Sequence, residues 1–368
     1  MRGSLAVVLL IHGAIHLLGF AKAFGLAALP QLSTPIARPV GVLWLVAAVL
    51  LIGSAFAGPS AFWKLGMVAI VLSQILIVSA FRDAKLGTLV NLLLMLPIGY
   101  AFAAHGPLGL NAEYQRDLAR ELAKPPRAGM VTEADLAGLP VPVARYVRAS
   151  GALGQPRVSN FLAHWRGRMR ASAHEPWMQF SAQQLNTLSQ PMSRLFIMDA
   201  TMKGLPVDVY HHFVGEAATF RVRLLSLFTL VDAHGPEMNR SETVTLLNDL
   251  CVLAPAALIE PALHWQSVDE HTARVRFTRL SQTVEAELRF GEAGELVDFS
   301  SDDRARASAD GKSFARERWS TPLSDYQTFG ARRLATRGTT RWDDPAGAFD
   351  YGEFALQAIE YNVVAKSD

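Results

Sequence analysis

His12 and His16 stand four residues apart in an apolar run. On a helix both imidazoles would project from one face, an arrangement that ligates haem or a metal when partners face it. The same pair can instead hydrogen-bond to neighbouring helices, with Ser73, Gln74 and Asn91 as partners, and no third or fourth metal ligand stands at a recognisable spacing. Arg82, Asp83 and Lys85 form a second polar group, with Asn91 one to two turns further on. Arg and Lys pair with phosphate oxygens while Asp orients them; the other use of such a run is a short charged turn that sets orientation in a membrane. A third set is Glu242, Asn248 and Asp249 on one predicted helix, with His211 and His212 on a predicted strand. A carboxylate beside a histidine in a water-poor site does general-base work; otherwise such groups cap the helix or bond the strands beneath it. Successive strand residues face opposite ways, so at most one of the two histidines can line a cavity.

These groups must be positioned by two kinds of element. Four apolar spans are predicted: Ser4 to Leu29, Ile36 to Ala57, Phe62 to Phe81 and Leu86 to Ala104. At ~1.5 Å per residue each approaches the ~30 Å of a hydrocarbon core. The first span has no cleavage signal and reads as a retained helix. Lys22, Arg38, Arg82 and Lys85 fall on one side of the bilayer, against Arg2 and Lys64 on the other, where Arg116 and Arg120 follow the last span. With the later domain discounted, the loop charges favour an extracytoplasmic carboxyl-terminal domain; with Arg116 and Arg120 counted, the two sides are level.

Composition narrows the class. Of 368 residues, 50% are apolar, and the excess lies in the first third, which implies two domains. A net charge of +2 with no separate basic stripe argues against nucleic acid as a partner. Cys251 is the single cysteine, which rules out an internal disulfide and any thiolate cluster. No phosphate loop, dinucleotide glycine fingerprint, His-Glu-x-x-His, Gly-x-Ser-x-Gly or Cys-x-x-Cys occurs, so the familiar enzyme classes are demoted. No metal or cofactor is expected, no catalytic residue is assigned, and an enzyme is the lesser reading.

From Val158 the apolar period changes to two. Phe161, Ala163, Trp165 and Met169 alternate with polar residues, as do Val275 and Phe277, and Val284, Ala286, Leu288 and Phe290. Further strands are predicted near Trp177 to Gln184, Leu195 to Lys203, Val207 to Val214, Leu296 to Ser301, Phe314 to Trp319, Arg332 to Trp342 and Phe354 to Val363, with Gly291 to Gly294 as a hairpin turn. Before them, Asn111 to Lys124 reads as an amphipathic helix along the membrane surface, and Val141 to Ala149 as a helix on the β domain. Ser241 to Leu253 has helical spacing, follows Asn239 or Ser241 as N-cap, and ends before Pro255. Long antiparallel sheets curl, and a helix over the concave side encloses an apolar cavity. The expected fold is therefore α+β: a four-helix transmembrane bundle (1–106), a surface-helix linker (107–157) and a curled antiparallel half-barrel with a helical lid (158–368).

The stretches His16-Leu17-Leu18-Gly19-Phe20, Asp83-Ala84-Lys85-Leu86-Gly87-Thr88, Met238-Asn239-Arg240-Ser241-Glu242-Thr243, Leu253-Ala254-Pro255 and Thr321-Pro322-Leu323-Ser324-Asp325-Tyr326 resemble an uncharacterised bacterial membrane-protein family of unknown function. Its soluble part looks like the Lol-type lipoprotein-carrier half-barrel. That resemblance implies a protein of the bacterial inner membrane with a cavity for a lipid, acyl chain or another apolar ligand at the membrane surface. Trp165, Met169, Phe196, Met198 and Phe213 from the strands, with Leu247, Asn248 and Cys251 from the helix, are the expected ligand-binding residues. Three rival readings remain open: an enzyme acting on a lipid or envelope component through Asp249, Glu242 or His212, a haem- or cofactor-binding subunit centred on His12 and His16, and a structural or interaction module with no small ligand.

Overall fold

In a computed structural model the chain is described over residues 2–308, 311–344 and 347–365, and it divides into two compact units, Met1–Ala112 and Glu113–Asp368. The first unit consists of α1 (Arg2–Phe24), α2 (Arg38–Phe56), α3 (Pro59–Ser79), the single turn α4 (Phe81–Ala84) and α5 (Leu86–His105). Four of these helices are long and apolar enough to cross a membrane. Their starts and stops follow local chemistry. Pro39 and Pro59 sit in the first turns of α2 and α3, where a missing N–H costs nothing. α1 stops at Phe24, five residues short of the predicted Leu29, because Gly25 takes a left-handed φ of 65° and ends the helix. Side-chain polarity in this unit runs inside out. Ile11, Ile15, Val49, Ile75 and Leu96 face outwards while His12, His16, Ser73 and Asn91 are buried.

The second unit opens with the remainder of α6 (Leu110–Leu122) and α7 (Val141–Ala149). Its sheet then begins with β1 (Asn160–Met169), β2 (Met178–Thr187), β3 (Ser193–Met202), β4 (Leu205–Val214), β5 (Ala217–Leu224) and β6 (Phe228–His234). After α8 (Pro236–Leu253) come β7 (Leu263–Ser267), β8 (Thr272–Arg279), β9 (Gln282–Phe290), β10 (Leu296–Ser301), β11 (Ala305–Ala307) and β12 (Phe314–Arg316). The last four are β13 (Arg318–Ser320), β14 (Leu323–Phe329), β15 (Arg332–Asp344) and β16 (Gly347–Tyr361). Fourteen strands join one sheet in the order β6-β5-β4-β3-β2-β1-β16-β15-β13-β10-β9-β8-β7, with β14 on β15. Their pairings are antiparallel.

Alternation in the sequence sets the faces. On β8 and β9, Ala273, Val275 and Phe277 lie opposite Leu288, Ala286 and Val284 on the buried side. On the other side Arg274 pairs Glu287 and Arg276 pairs Glu285. Lys203 and Gly204, both at positive φ, close the two-residue turn between β3 and β4.

α8 forces the sheet to curl. It packs against β5 and β6 and also against β9, β10 and β15. β5 and β9 stand nine places apart in the strand order, ~43 Å across a flat sheet at ~4.8 Å per strand. A helix only ~10–12 Å wide touches both only if the sheet wraps around it. The curled α+β half-barrel expected from the sequence is what the chain forms.

Several details differ from expectation. α8 begins at Pro236, because Gly235 at φ 99° and Pro236 start it; Asn239 instead accepts a hydrogen bond from the Ala218 N–H. Apart from Asn248, every residue of α8 from Ser241 to Leu253 is buried, so the helix is a plug within the concavity and not a surface lid. The stretch from Phe314 to Trp319 is two strands, broken at Glu317, that join different sheets. β6 and β7, absent from the prediction, are the two ends of the sheet, where half the pairing and much of the burial that create alternation are missing. α6 buries Tyr114, Asp117 and Glu121, a stripe facing the β unit: Asp117 bonds the Tyr210 hydroxyl, and Glu121 accepts from Ser193 and Thr187. From Glu113 on, that buried side turns to protein and not to a membrane surface.

Candidate functional site

A cavity of about 630 Å³ lies between α8 and the concave faces of β1 to β6 and β15 to β16. Strand register builds its apolar wall in rows. Trp165, Ala182, Met198, Val209 and Val222 stand opposite one another across β1 to β5. The adjacent rows bring Gln184, Phe196, His211 and Phe220 together at one end, and Phe180, Ala200, Val207 and Leu224 at the other. Met169, Met202 and Met238 add flexible thioether side chains to the lining.

Polar side chains also line the cavity, many of them from α8. α8 presents Met238, Ser241, Glu242, Thr245, Asn248, Asp249 and Val252 to the cavity, one stripe at helical spacing. Arg194 of β3 donates from Nε to Asp249 Oδ2 at 2.7 Å and from Nη1 to Glu242 Oε2 at 3.2 Å. Glu242 Oε1 lies 3.3 Å from His211 Nδ1. Asp249 also accepts from Gln184 (2.7 Å) and Asn186 (3.0 Å), and Gln184 in turn accepts from Trp165 Nε1 (3.0 Å). This chain of bonds staples α8 to β1, β2, β3 and β4. Burial works against the Arg194 charge, yet Asp249 and Glu242 raise its pKa above the ordinary value. Burial would raise Glu242, but His211 and then Arg194, which face it, hold it at about 2. Burial pushes Asp249 up and keeps His211 below its usual value.

A second guanidinium sits apart from that chain. Arg304, between β10 and β11, lies 4.3 Å from the Trp319 ring centroid and 5.3 Å from that of Trp342. Its Nε donates to Thr245 Oγ1 (3.2 Å) and its Nη1 to the Tyr351 hydroxyl (3.1 Å), which also accepts from Trp319 Nε1 (3.0 Å).

Of the expected ligand-binding residues, the structure brings Trp165, Met169, Phe196, Met198 and Asn248 to the cavity. Phe213, Leu247 and Cys251 lie elsewhere, in the packed core. Phe213 is one row beyond His211, where the Arg279 guanidinium covers its ring at 3.9 Å. Leu247 and Cys251 are on the far side of α8, because the helix turns its polar stripe to the cavity and its apolar stripe to the core. Glu242 and Asp249 do converge with a histidine, but it is His211; His212, on the opposite strand face, points to Asp117 at 3.9 Å. The His211 ring packs at a tilt on Phe220 (4.2 Å), and both carboxylates share the one Arg194 guanidinium. Arg194, Gln184, Arg304 and Tyr351 escaped the sequence reading. Arg194 could have been found, since in Ser193-Arg194-Leu195-Phe196-Ile197-Met198 it shares the face of Phe196 and Met198.

In the helical unit, His12, His16, Gln74 and Asn91 come together with Ser73. His12 Nε2 bonds Asn91 Oδ1 (3.0 Å), His16 uses Nδ1 on the His12 carbonyl (2.9 Å) and Nε2 on Ser73 (2.9 Å), and Asn91 donates to Gln74 (3.0 Å). Both ring nitrogens of His16 are thereby in use within the bundle. Among the described residues no group of three or more His, Cys, Asp or Glu is placed to hold a metal ion. Arg82 and Lys85 are exposed. Asp83 ties their turn to the α1–α2 loop through the Thr34 N–H and the Ser33 hydroxyl, both at 2.7 Å, which hold its carboxyl down to about 2.

A curled antiparallel sheet around a buried helix, with a cavity between apolar strand rows and the polar stripe of that helix, defines a half-barrel with an internal space, on a chain that also carries four helices of membrane-spanning length. Residues 129–354 match a family of unknown function, DUF6544, and the chain belongs to that family. No curated protein matches it. Solved structures similar to it include a DUF1329 family protein from Desulfovibrio piger (9% identity, 65% of this chain and 96% of that one, TM-score 0.36). A LolA superfamily protein from Nitrosomonas europaea is 11% identical over 60% of this chain and 93% of its own, with a TM-score of 0.32. A domain described as an outer membrane lipoprotein-sorting protein, from Vibrio parahaemolyticus, is 8% identical over 56% and 87%, with a TM-score of 0.33. With TM-scores below 0.5, no function passes from these proteins to this chain.

Proposed function

We propose that the protein binds a lipid, acyl chain or similar apolar ligand in the half-barrel cavity, on a chain anchored in a membrane by its first unit. The observation that carries this is the cavity itself. Protein interiors are close-packed, and voids larger than a water are few. An apolar space of about 630 Å³ falls in the ~300–1,000 Å³ range of small-molecule sites. Wall chemistry supports the same reading: Met169, Met198 and Met202 adapt to a flexible chain, and each buried CH₂ contributes ~0.8 kcal/mol.

The inside-out polarity of the helical unit supports the anchor, because outward Ile and Leu are stable only against lipid while a buried His-Ser-Asn cluster is satisfied internally. Full-length protein in nanodiscs, exposed to photoactivatable palmitate, should crosslink at residues of β1 to β5, and Met198→Arg or the cavity-filling Val209→Trp should remove those crosslinks. Crosslinks confined to α1 to α5 would overturn the proposal.

A further inference from the structure

We infer that Arg304 makes the polar side of this cavity an anion-recognition subsite, so that the ligand is an amphiphile with a carboxylate or phosphate head and not a neutral chain. The inference rests on the cavity reading above and adds the head-group chemistry to it.

Arg194 and Arg304 differ in what neutralises them. Arg194 is ion-paired to both Glu242 and Asp249. Arg304 has only neutral oxygens, Thr245 Oγ1 and the Tyr351 hydroxyl, and among the described residues no carboxylate lies within ion-pair distance of it. Glu242 senses its charge only at longer range. The other arginines of the lining are engaged: Arg306 with Glu317 at 3.5 Å, Arg337 with Asp325 at 3.6 Å, and Arg170 with the carbonyls of Asp350 and Ala173. Arg304 and Arg170 are therefore the two lining arginines whose charge no carboxylate meets directly among the described residues, and Arg304 is the one bonded to the cavity-facing stripe of α8, through Thr245.

Its orientation is fixed before any ligand arrives. The guanidinium is held against the rings of Trp319 and Trp342, and two of its nitrogens are anchored. Nη2 makes no hydrogen bond among the described residues. A planar fork held in this way matches carboxylate or phosphate geometry, and the surrounding tryptophans lower the local dielectric, which strengthens the pairing. The apolar rows on β1 to β5 supply the wall for the chain attached to that head.

The test uses full-length protein in phosphatidylcholine nanodiscs, titrated with brominated 16-carbon chains ending in carboxylate, phosphate or alcohol. Quenching of the cavity tryptophans reads binding, and comparison with Arg304→Gln cancels differences in membrane partitioning. Wild-type protein should bind at least one anionic probe about tenfold or more tighter than the alcohol. Arg304→Gln should bring that ratio towards one while keeping alcohol binding, and Arg304→Lys should retain part of it. The tighter of the two anionic probes then identifies the head. A wild-type ratio near one, or a ratio unchanged in Arg304→Gln, overturns the inference and leaves the cavity reading standing. Failure of all three probes to bind wild type overturns both. Should Arg304→Gln also lose the alcohol, the wild-type ratio and Arg304→Lys decide.

Discussion

Glu242 and Asp249 are buried carboxylates that share the guanidinium of Arg194, itself buried. Charges out of water are tolerated only when paired, and removing one partner leaves the rest uncompensated. Arg194→Met should therefore destabilise the β unit by about 3–5 kcal/mol, seen as a lowered unfolding midpoint. His211 carries a pH dependence of definite sign. Burial keeps its pKa below the usual 6.5, so below about pH 6.5 the unfolded chain takes up a proton that the folded one refuses, and stability falls. Glu242, lowered from 4.5 to about 2, adds a loss in the same direction as pH drops through that lower window. Asp249, with its pKa raised, contributes with the opposite sign at its own, higher folded value. Melting temperatures measured from pH 7 to pH 5 should decline in wild type and decline less in His211→Phe.

At the scale of the element, α8 shows why an apolar pattern alone misplaces a helix. Leu247 and Cys251 read as the ligand side because apolar stripes were expected to meet an apolar ligand, yet both faces of a helix buried in a concavity need partners. The strongly apolar side took the protein core, and the side with Glu242, Thr245 and Asp249 was left for the cavity. Leu247→Arg consequently tests folding, not binding, and should yield aggregated protein. α1 and α5 carry a comparable internal contact. Asn91 bonds His12, Ser73 and Gln74, and Asn91→Leu should cost the helical unit about 0.6–1.7 kcal/mol, read as a lower melting temperature in detergent. Gly19 faces Trp44 so closely that a Cβ would meet the indole at 2.5 Å; Gly19→Leu should separate α1 from α2 and lower that temperature further.

For the whole molecule, an extracytoplasmic carboxyl terminus is the expectation that the loop charges favour, and on that expectation an alkaline phosphatase fused after the last residue should be active in a bacterial host; an inactive fusion with an intact chain reverses the orientation. Period-two alternation, span length and the break at Pro255 were legible in the chain because each is a local consequence of backbone geometry and burial. So were the α+β class, the helices, most strands, and the strand residues Trp165, Met169, Phe196 and Met198. What only the tertiary structure decided was which groups meet across long separations. Arg194 reaches α8, and Arg304 comes to lie by Trp319, Trp342 and Tyr351, through the curl of a fourteen-stranded sheet. Whether a void remains inside that curl depends on the sum of side-chain volumes around a closed surface, a quantity that no spacing along the chain contains.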